Sequence, residues 1–264
     1  MEIPFFLPTS AGDLSAIASL PDDGVLHGPS VFLLPGDSAR NRVGVLRDVA
    51  RRVADNRQPV MRFDYPGHGF SPIDATPTRK DLIPIIVEAM DWFSTQTGLT
   101  DVAVAGTCLG ARAAVMLAAA DDRVTTAVSV GCPIRKRKPV KPKVRAGLAA
   151  IDAIGGRVAS HLARGSRTKT IGEGWQKGLV EDILTAAPRA RVEFVFGELD
   201  EFYADFRDLM ASGDIPEEVR DELTVTVLPG EQLRGLMSVE HHSWVVDVLV
   251  ESLTSRLSPV SHDG

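Results

Sequence analysis

The sequence predicts an α/β protein with a mostly parallel, twisted sheet, helices on both faces and a helical cap insertion. Three observations carry this. Short apolar runs of strand length alternate with segments whose apolar residues recur at helical spacing. The stretch VAVAGTCLGARAAV at 102–115 passes from strand to helix through a glycine-flanked turn with one thiol at its apex. Between Pro133 and Pro188 the alternation stops. A chain of 264 residues can bury one sizeable core, so the expectation is one domain, built from 1–133 and 188–264, with residues 134–187 inserted over the sheet as the cap.

The elements follow in order. Ile3–Leu7 and Leu14–Leu20 read as strands around a Ser10-Ala11-Gly12-Asp13 turn. Val31–Leu34 is a buried-strand run ending in Pro35-Gly36-Asp37, and Val43, Leu46, Val49, Ala50 and Val53 then recur on one helical face. Pro59–Tyr65 returns to strand and closes a βαβ unit. A helix near Lys80–Thr95, the strand Val102–Ala105, a helix from Leu109 and the strand Val124–Val130 continue the rhythm. After the insertion come Arg191–Phe196, a helix near Glu201–Met210, the strand Leu223–Leu228 and a last helix from about Ser238 to Leu257.

Composition narrows the function classes. A formal net charge of −6 and a pI near 5.5 give no general attraction for nucleic acid or anionic membrane. Two cysteines, Cys108 and Cys132, make no disulfide framework, and no Cys/His spacing suggests a metal site. The start MEIPFFLPTSAGDL lacks the basic and long apolar regions of a signal peptide, and no stretch approaches the roughly 20 apolar residues that span a bilayer. A cytoplasmic protein without membrane insertion is the expectation. One region departs from the acidic average: residues 134–145, IRKRKPVKPKVR, hold seven Lys or Arg and no acid.

Cys108 stands at the start of the helix that begins near Leu109. Backbone N–H groups and the helix dipole there favour the thiolate, the nucleophilic form of the side chain. Cys132 ends a strand with no such turn around it and reads as core.

The Gly-x-Cys-x-Gly turn between strand and helix, the small-residue loop after Val31–Leu34, the acid after Arg191–Phe196 and the MRFDYPGHGFS turn at 61–71 together resemble the α/β-hydrolase fold superfamily, whose elbow is usually Gly-x-Ser-x-Gly. The run from RVGVLRDVARRVADNRQPVMRFDYPGHGFS to the Cys-centred elbow is similar to small exosortase-associated hydrolase-like proteins and to actinobacterial acyl-handling enzymes. The resemblance implies Cys108 as nucleophile, with the amides of Leu109 and Asp37 as oxyanion donors. It implies Asp200 as the acid that orients a histidine, with Glu198 and Glu201 as near competitors and helix N-capping as the alternative role for Asp200. The histidine departs from the pattern. The loop after the last strand reads LPGEQLRGLMS, with Arg234 near the usual place, and the nearest histidines are His241 and His242 in or before the final helix. Of these, His242 shares a face with Val246, Leu249 and Leu253, and is the favoured base. His68 in the PGHGFS turn and Arg234 are candidate substrate contacts.

These residues imply acyl transfer through a thioester on Cys108, by an acyltransferase or thioesterase that needs no cofactor. The substrate would be a small to medium acyl group selected by the cap, and the basic run suits its delivery on coenzyme A or a carrier protein. Two alternatives stay open: a lyase that uses the same pocket to eliminate a carboxylate, as in natural-product tailoring, and a non-catalytic scaffold lacking the usual histidine.

Overall fold

The computed structural model describes residues 1–36, 44–71, 79–136, 174–230, 233 and 239–255, with backbone alone at 79–81 and 239–241. Among these residues eight strands form one sheet in the order β1-β2-β4-β3-β5-β6-β7-β8. They are β1 Glu2–Thr9, β2 Gly12–Ser19, β3 Ser30–Leu34, β4 Val60–Phe63, β5 Val102–Thr107, β6 Val124–Val130, β7 Arg191–Gly197 and β8 Leu223–Leu228. From β4 to β8 every neighbouring pair is parallel; β2 runs antiparallel to both β1 and β4. The central strands are buried along their whole length, which explains their unbroken apolar sequence rather than an alternating one.

Seven helices are described: α1 Val45–Asp55, α2 Arg79–Thr97, α3 Leu109–Ala120, α4 Leu179–Ala186, α5 Glu201–Ala211, α6 Glu217–Asp221 and α7 Val239–Thr254. The sheet divides the core in two. On one face α1 and α7 bury Val49, Val53, Val245 and Leu249 against Val31, Leu33, Ala103 and Val195. On the other, α2, α3, α4 and α5 pack Ile86, Val115, Ile183 and Phe206 against Phe32, Val104, Ala127 and Phe194. Parallel crossovers are right-handed, so a connection stepping left from β3 to β4 and one stepping right from β5 to β6 must lie on opposite faces. The chain reverses direction at β3, which puts the C-terminal ends of β3 and β5 at the topological switch point, where open α/β sheets carry their sites.

Of the buried charged side chains, three tie separate elements of the core together. Arg62 of β4 is 1% exposed and donates to Glu2 of β1 at 2.5 Å; Glu2 also accepts from Arg51 of α1, the main cause of its lowered carboxyl pKa. Glu193 of β7 accepts from Arg191 and from the Thr226 hydroxyl of β8, and Arg191 reaches across to the Ser252 carbonyl of α7. Arg112 of α3, also 1% exposed, pairs with Asp182 of α4. That ion pair ties α4, with its buried Leu179, Ile183 and Ala186, to α3. Residues 179–186 fall within the span read as an insertion; most of that span, 137–173, lies outside the described residues.

The MRFDYPGHGFS turn after β4 is held by Asp64, which is 2% exposed. Its Oδ2 accepts the Phe70 N–H, and its carbonyl accepts the Ser71 hydroxyl, which in turn accepts the Ser15 N–H of β2. Gly69 sits at φ +58°, and a Cβ there would lie 2.2 Å from Asp64 Oδ2, so the placement of Asp64 leaves room for glycine alone.

Two stability outcomes follow. Asp182→Ala leaves the Arg112 charge uncompensated in the core and should cost about 3 kcal/mol in urea denaturation, whereas Arg112→Met should be neutral or stabilising, because an apolar side chain has no desolvation penalty to offset. Gly110→Ala forces a methyl into a backbone carbonyl (below) and should cost about 3 kcal/mol or more; Gly131→Ala, whose Cβ would meet nothing within 4 Å, should cost only the strain of its φ of +61°.

Candidate functional site

The site is organised by the elbow between β5 and α3. Cys108 has φ 52° and ψ −107°, one of two described non-glycine residues at positive φ, a strained conformation of the kind that concentrates at functional positions. Its amide is fixed by the Val130 carbonyl of β6 at 3.0 Å, and its carbonyl begins the α3 ladder by accepting the Arg112 N–H. The flanking glycines are forced by close approach. A Cβ on Gly106 would lie 2.1 Å from the Gly110 carbonyl oxygen, and one on Gly110 would lie 2.3 Å from the Leu34 carbonyl oxygen. Strand end, helix start and the end of β3 therefore meet backbone to backbone, which leaves the Cys108 side chain exposed above the sheet.

The loop after β3 reaches the same place. A Cβ on Gly36 would make van der Waals contact with Cys108 Cβ at 3.5 Å, so Pro35-Gly36 runs directly beside the thiol. Leu109, the expected first oxyanion donor, is the first residue of α3. Asp37, the expected second donor, lies outside the described residues, as does Arg234.

Asp200 is 5% exposed and lies three residues past the end of β7, at the N-cap position of α5. Its side chain does not cap that helix: Oδ2 turns back to accept the Gly197 N–H at 2.8 Å. The capping explanation for this aspartate is thereby set aside, and the carboxylate is held at the C-terminal end of β7, two strands from the elbow. Of its competitors, Glu198 accepts the Gly230 N–H and joins the loops after β7 and β8, and Glu201 lies in the first turn of α5.

The histidines separate. His68 Nδ1 lies 3.1 Å from the Pro66 carbonyl; a carbonyl only accepts, so Nδ1 is the donor in this bond. His242 Nε2 lies 2.8 Å from Asp48 Oδ2 in the first turn of α1. Arg47 donates to the other oxygen of Asp48 at 2.8 Å. Chiefly that Arg47 bond, with His242 adding to it, holds the Asp48 carboxyl below the usual carboxylate range. One turn on, Arg52 of α1 pairs with Asp247 of α7, so the two helices are laced along their length. The His241 side chain lies outside the described residues. The sequence reading passed over Asp48: an acid in the first turn of a helix reads as dipole complement, and only the packing of α1 on α7 brings it to a histidine 194 residues away.

Cys132 is buried, as expected of a core thiol. Arg135, the first cation of the basic run, stacks over Trp175 at 4.3 Å and pairs with Asp205 and Asp208 of α5; residues 137–145 of that run lie outside the described residues. Among the described residues no group of His, Cys, Asp or Glu could hold a metal ion, and no helix is long and apolar enough to cross a membrane.

A family model described as the alpha/beta hydrolase fold matches residues 29–166, just over half of the chain. No curated protein matches the chain significantly by sequence. Among solved structures, it is similar to an alpha-beta serine hydrolase homologue from Coxiella burnetii, with 15% identity, a TM-score of 0.63 and coverage of 95% of this chain and 97% of that one. The esterase Pf2001 of Pyrococcus furiosus has 15% identity and a TM-score of 0.63, over 96% and 93% of the two chains. Est1E from Butyrivibrio proteoclasticus, solved with ferulic acid bound, has 14% identity and a TM-score of 0.62, over 94% and 96%. At these identities the likeness is one of fold. With the family model covering both the loop after β3 and the elbow, the chain belongs to the α/β-hydrolase fold family.

Proposed function

We propose that the protein is an acyl-transfer enzyme, an acyltransferase or thioesterase, that forms a thioester acyl-enzyme on Cys108. The observation that carries this reading is the strained, exposed thiol at φ 52° on the N-terminus of α3, with the Pro35-Gly36 loop packed against its Cβ. Helix-terminal N–H groups favour thiolate. In this reading the oxyanion of the tetrahedral intermediate is held by the Leu109 amide, at the start of α3, and by the Asp37 amide.

For the base we assign His241, with Asp200 to orient it and to stabilise the imidazolium. His242, favoured by its helical face, has its Nε2 on Asp48, which supports His241 over it as the base. In the reaction the imidazole takes the thiol proton, sulfur attacks the acyl carbonyl, and the imidazolium returns the proton to the leaving thiol. A thiolate is a better leaving group than an alkoxide, so the acyl-enzyme passes readily to a second thiol, alcohol or amine. His68 and Arg234 are assigned to substrate contact. A thioester of coenzyme A or of a carrier protein is the donor class that suits both the sulfur and the basic run at 134–145.

One observation favours a second reading, a non-catalytic scaffold: the one described histidine of α7 is engaged with Asp48.

The readings separate by experiment. Incubation with short acyl thioesters should leave an acyl mass on Cys108, and Cys108→Ala should abolish both label and turnover; turnover by Cys108→Ala would point to elimination chemistry instead. Iodoacetamide labelling of Cys108 should persist well below the free thiol pKa of ~8.5; a rate following that free value would support the scaffold. His241→Ala should lower kcat by roughly 10²–10⁴ with an unchanged Tm, whereas His242→Ala should lower Tm and leave kcat within a few-fold. The opposite pattern would reassign the base to His242.

A further inference from the structure

The chain holds two cysteines, and the sheet sets them at neighbouring strand ends. β5 and β6 are adjacent and parallel, with Thr107 opposite Val130 where both strands finish. The ladder runs one step further. The Cys108 amide donates to the Val130 carbonyl at 3.0 Å, the bond that in a parallel pair places Cys108 level with Gly131. On its other side the Gly131 amide donates to the Val195 carbonyl of β7 at 2.9 Å, so this end of β6 is still held in the sheet. Cys132 is the next residue. Strands lie about 4.8 Å apart and rise about 3.3 Å per residue, which puts the Cys108 and Cys132 Cα atoms about 6 Å apart, the usual separation across a disulfide.

The two thiols differ in a way that suits a pair. Cys108 is exposed at the N-terminus of α3, where the thiolate is favoured. Cys132 is fully buried beside it, its Sγ 3.8 Å from the Pro133 carbonyl as a weak S–H donor. An oxidant in solution therefore meets Cys108 first. Gly131, between the ladder and Cys132, has a φ of +61°, and a Cβ there would meet nothing within 4 Å, so the backbone next to Cys132 has room to shift.

From this we infer that Cys132 is a resolving cysteine, and that oxidation of Cys108 by a hydroperoxide ends in a reversible Cys108–Cys132 disulfide. In the first step the Cys108 thiolate attacks the outer oxygen of the hydroperoxide and the O–O bond breaks. Sulfur is oxidised to the sulfenic acid; the peroxide is reduced to an alkoxide, or to hydroxide, which takes up the proton the thiol had released. In the second step the Cys132 sulfur attacks the Cys108 sulfur. The S–S bond forms, the S–O bond breaks, and the hydroxyl leaves with the Cys132 proton as water. Two thiols and one hydroperoxide thus become one disulfide, one alcohol and one water.

The pairing rests on the reactive Cys108 thiol of the acyl-transfer reading, not on the acyl step itself. Its effect is protective. A sulfenic acid with no neighbouring thiol meets a second hydroperoxide and passes to the sulfinic acid, which dithiols do not reverse, whereas a disulfide is returned by reduction.

Peptide mapping of the full chain after treatment with a few equivalents of hydrogen peroxide tests this. The unaltered protein should lose two hydrogen masses, yield a linked peptide holding Cys108 and Cys132, and regain both thiols with dithiothreitol. Cys132→Ala should instead give a dimedone adduct on Cys108 and accumulate its sulfinic acid roughly tenfold faster or more. Equal rates of sulfinic acid formation in the two proteins, or a linked mass found only between two chains, would overturn the pairing. A Cys108 that iodoacetamide alkylates well below the free thiol pKa of ~8.5, yet that forms no bridge, would overturn it and leave the acyl chemistry standing. A bridge in a protein that takes no acyl label would support it and remove the acyl step.

Discussion

The close approach of three backbones at the elbow is the constraint on which the rest of the site depends. Gly106 lies against the Gly110 carbonyl, and Gly110 against the Leu34 carbonyl, at distances that no side chain could occupy. These contacts bring the ends of β3 and β5 and the start of α3 to one point at the switch of sheet direction. From that point the positive φ of Cys108, the exposure of its thiol and the nearness of the Pro35-Gly36 loop all follow. The charged clamps are remote supports of the same arrangement: Arg112 braces α3 from the α4 side, while Glu2 and Arg62 hold the β1–β2 hairpin to the sheet. Each carries a desolvation cost, and each specifies which element lies beside which.

Most of the architecture was legible in the sequence because it is written in periodicity. The strands from Val31–Leu34 to Leu223–Leu228 and the helices beginning near Val43, Lys80, Leu109, Glu201 and Ser238 all stand close to where apolar spacing put them. The elbow was legible for a different reason: two glycines at fixed spacing around one cysteine record a steric requirement directly. What escaped were the helices α4 and α6, inside or next to stretches with weak periodicity, and the pairing of β2 with β4, which the hydrophobic pattern does not encode.

Pairing between distant side chains was not legible. Asp48 and His242 each had a local explanation, a dipole complement and an inward-facing ring, and only the packing of α1 against α7 joins them. Asp200 shows the converse. Its position before a helix suggested capping, yet its carboxylate turns back to the Gly197 amide instead. A one-dimensional pattern identifies the element on which a polar residue sits; the partner is chosen by tertiary geometry.

The backbone angle at Cys108 also restricts what chemistry this position can ever host. A positive φ is a severe strain for a β-branched side chain, so threonine, although it carries a hydroxyl, is excluded from the apex. Of the short nucleophilic side chains without a branched Cβ, serine, cysteine and aspartate remain, and the first two differ by a single atom. Exchange of sulfur for oxygen is therefore the smallest change of chemistry that the backbone at this position admits.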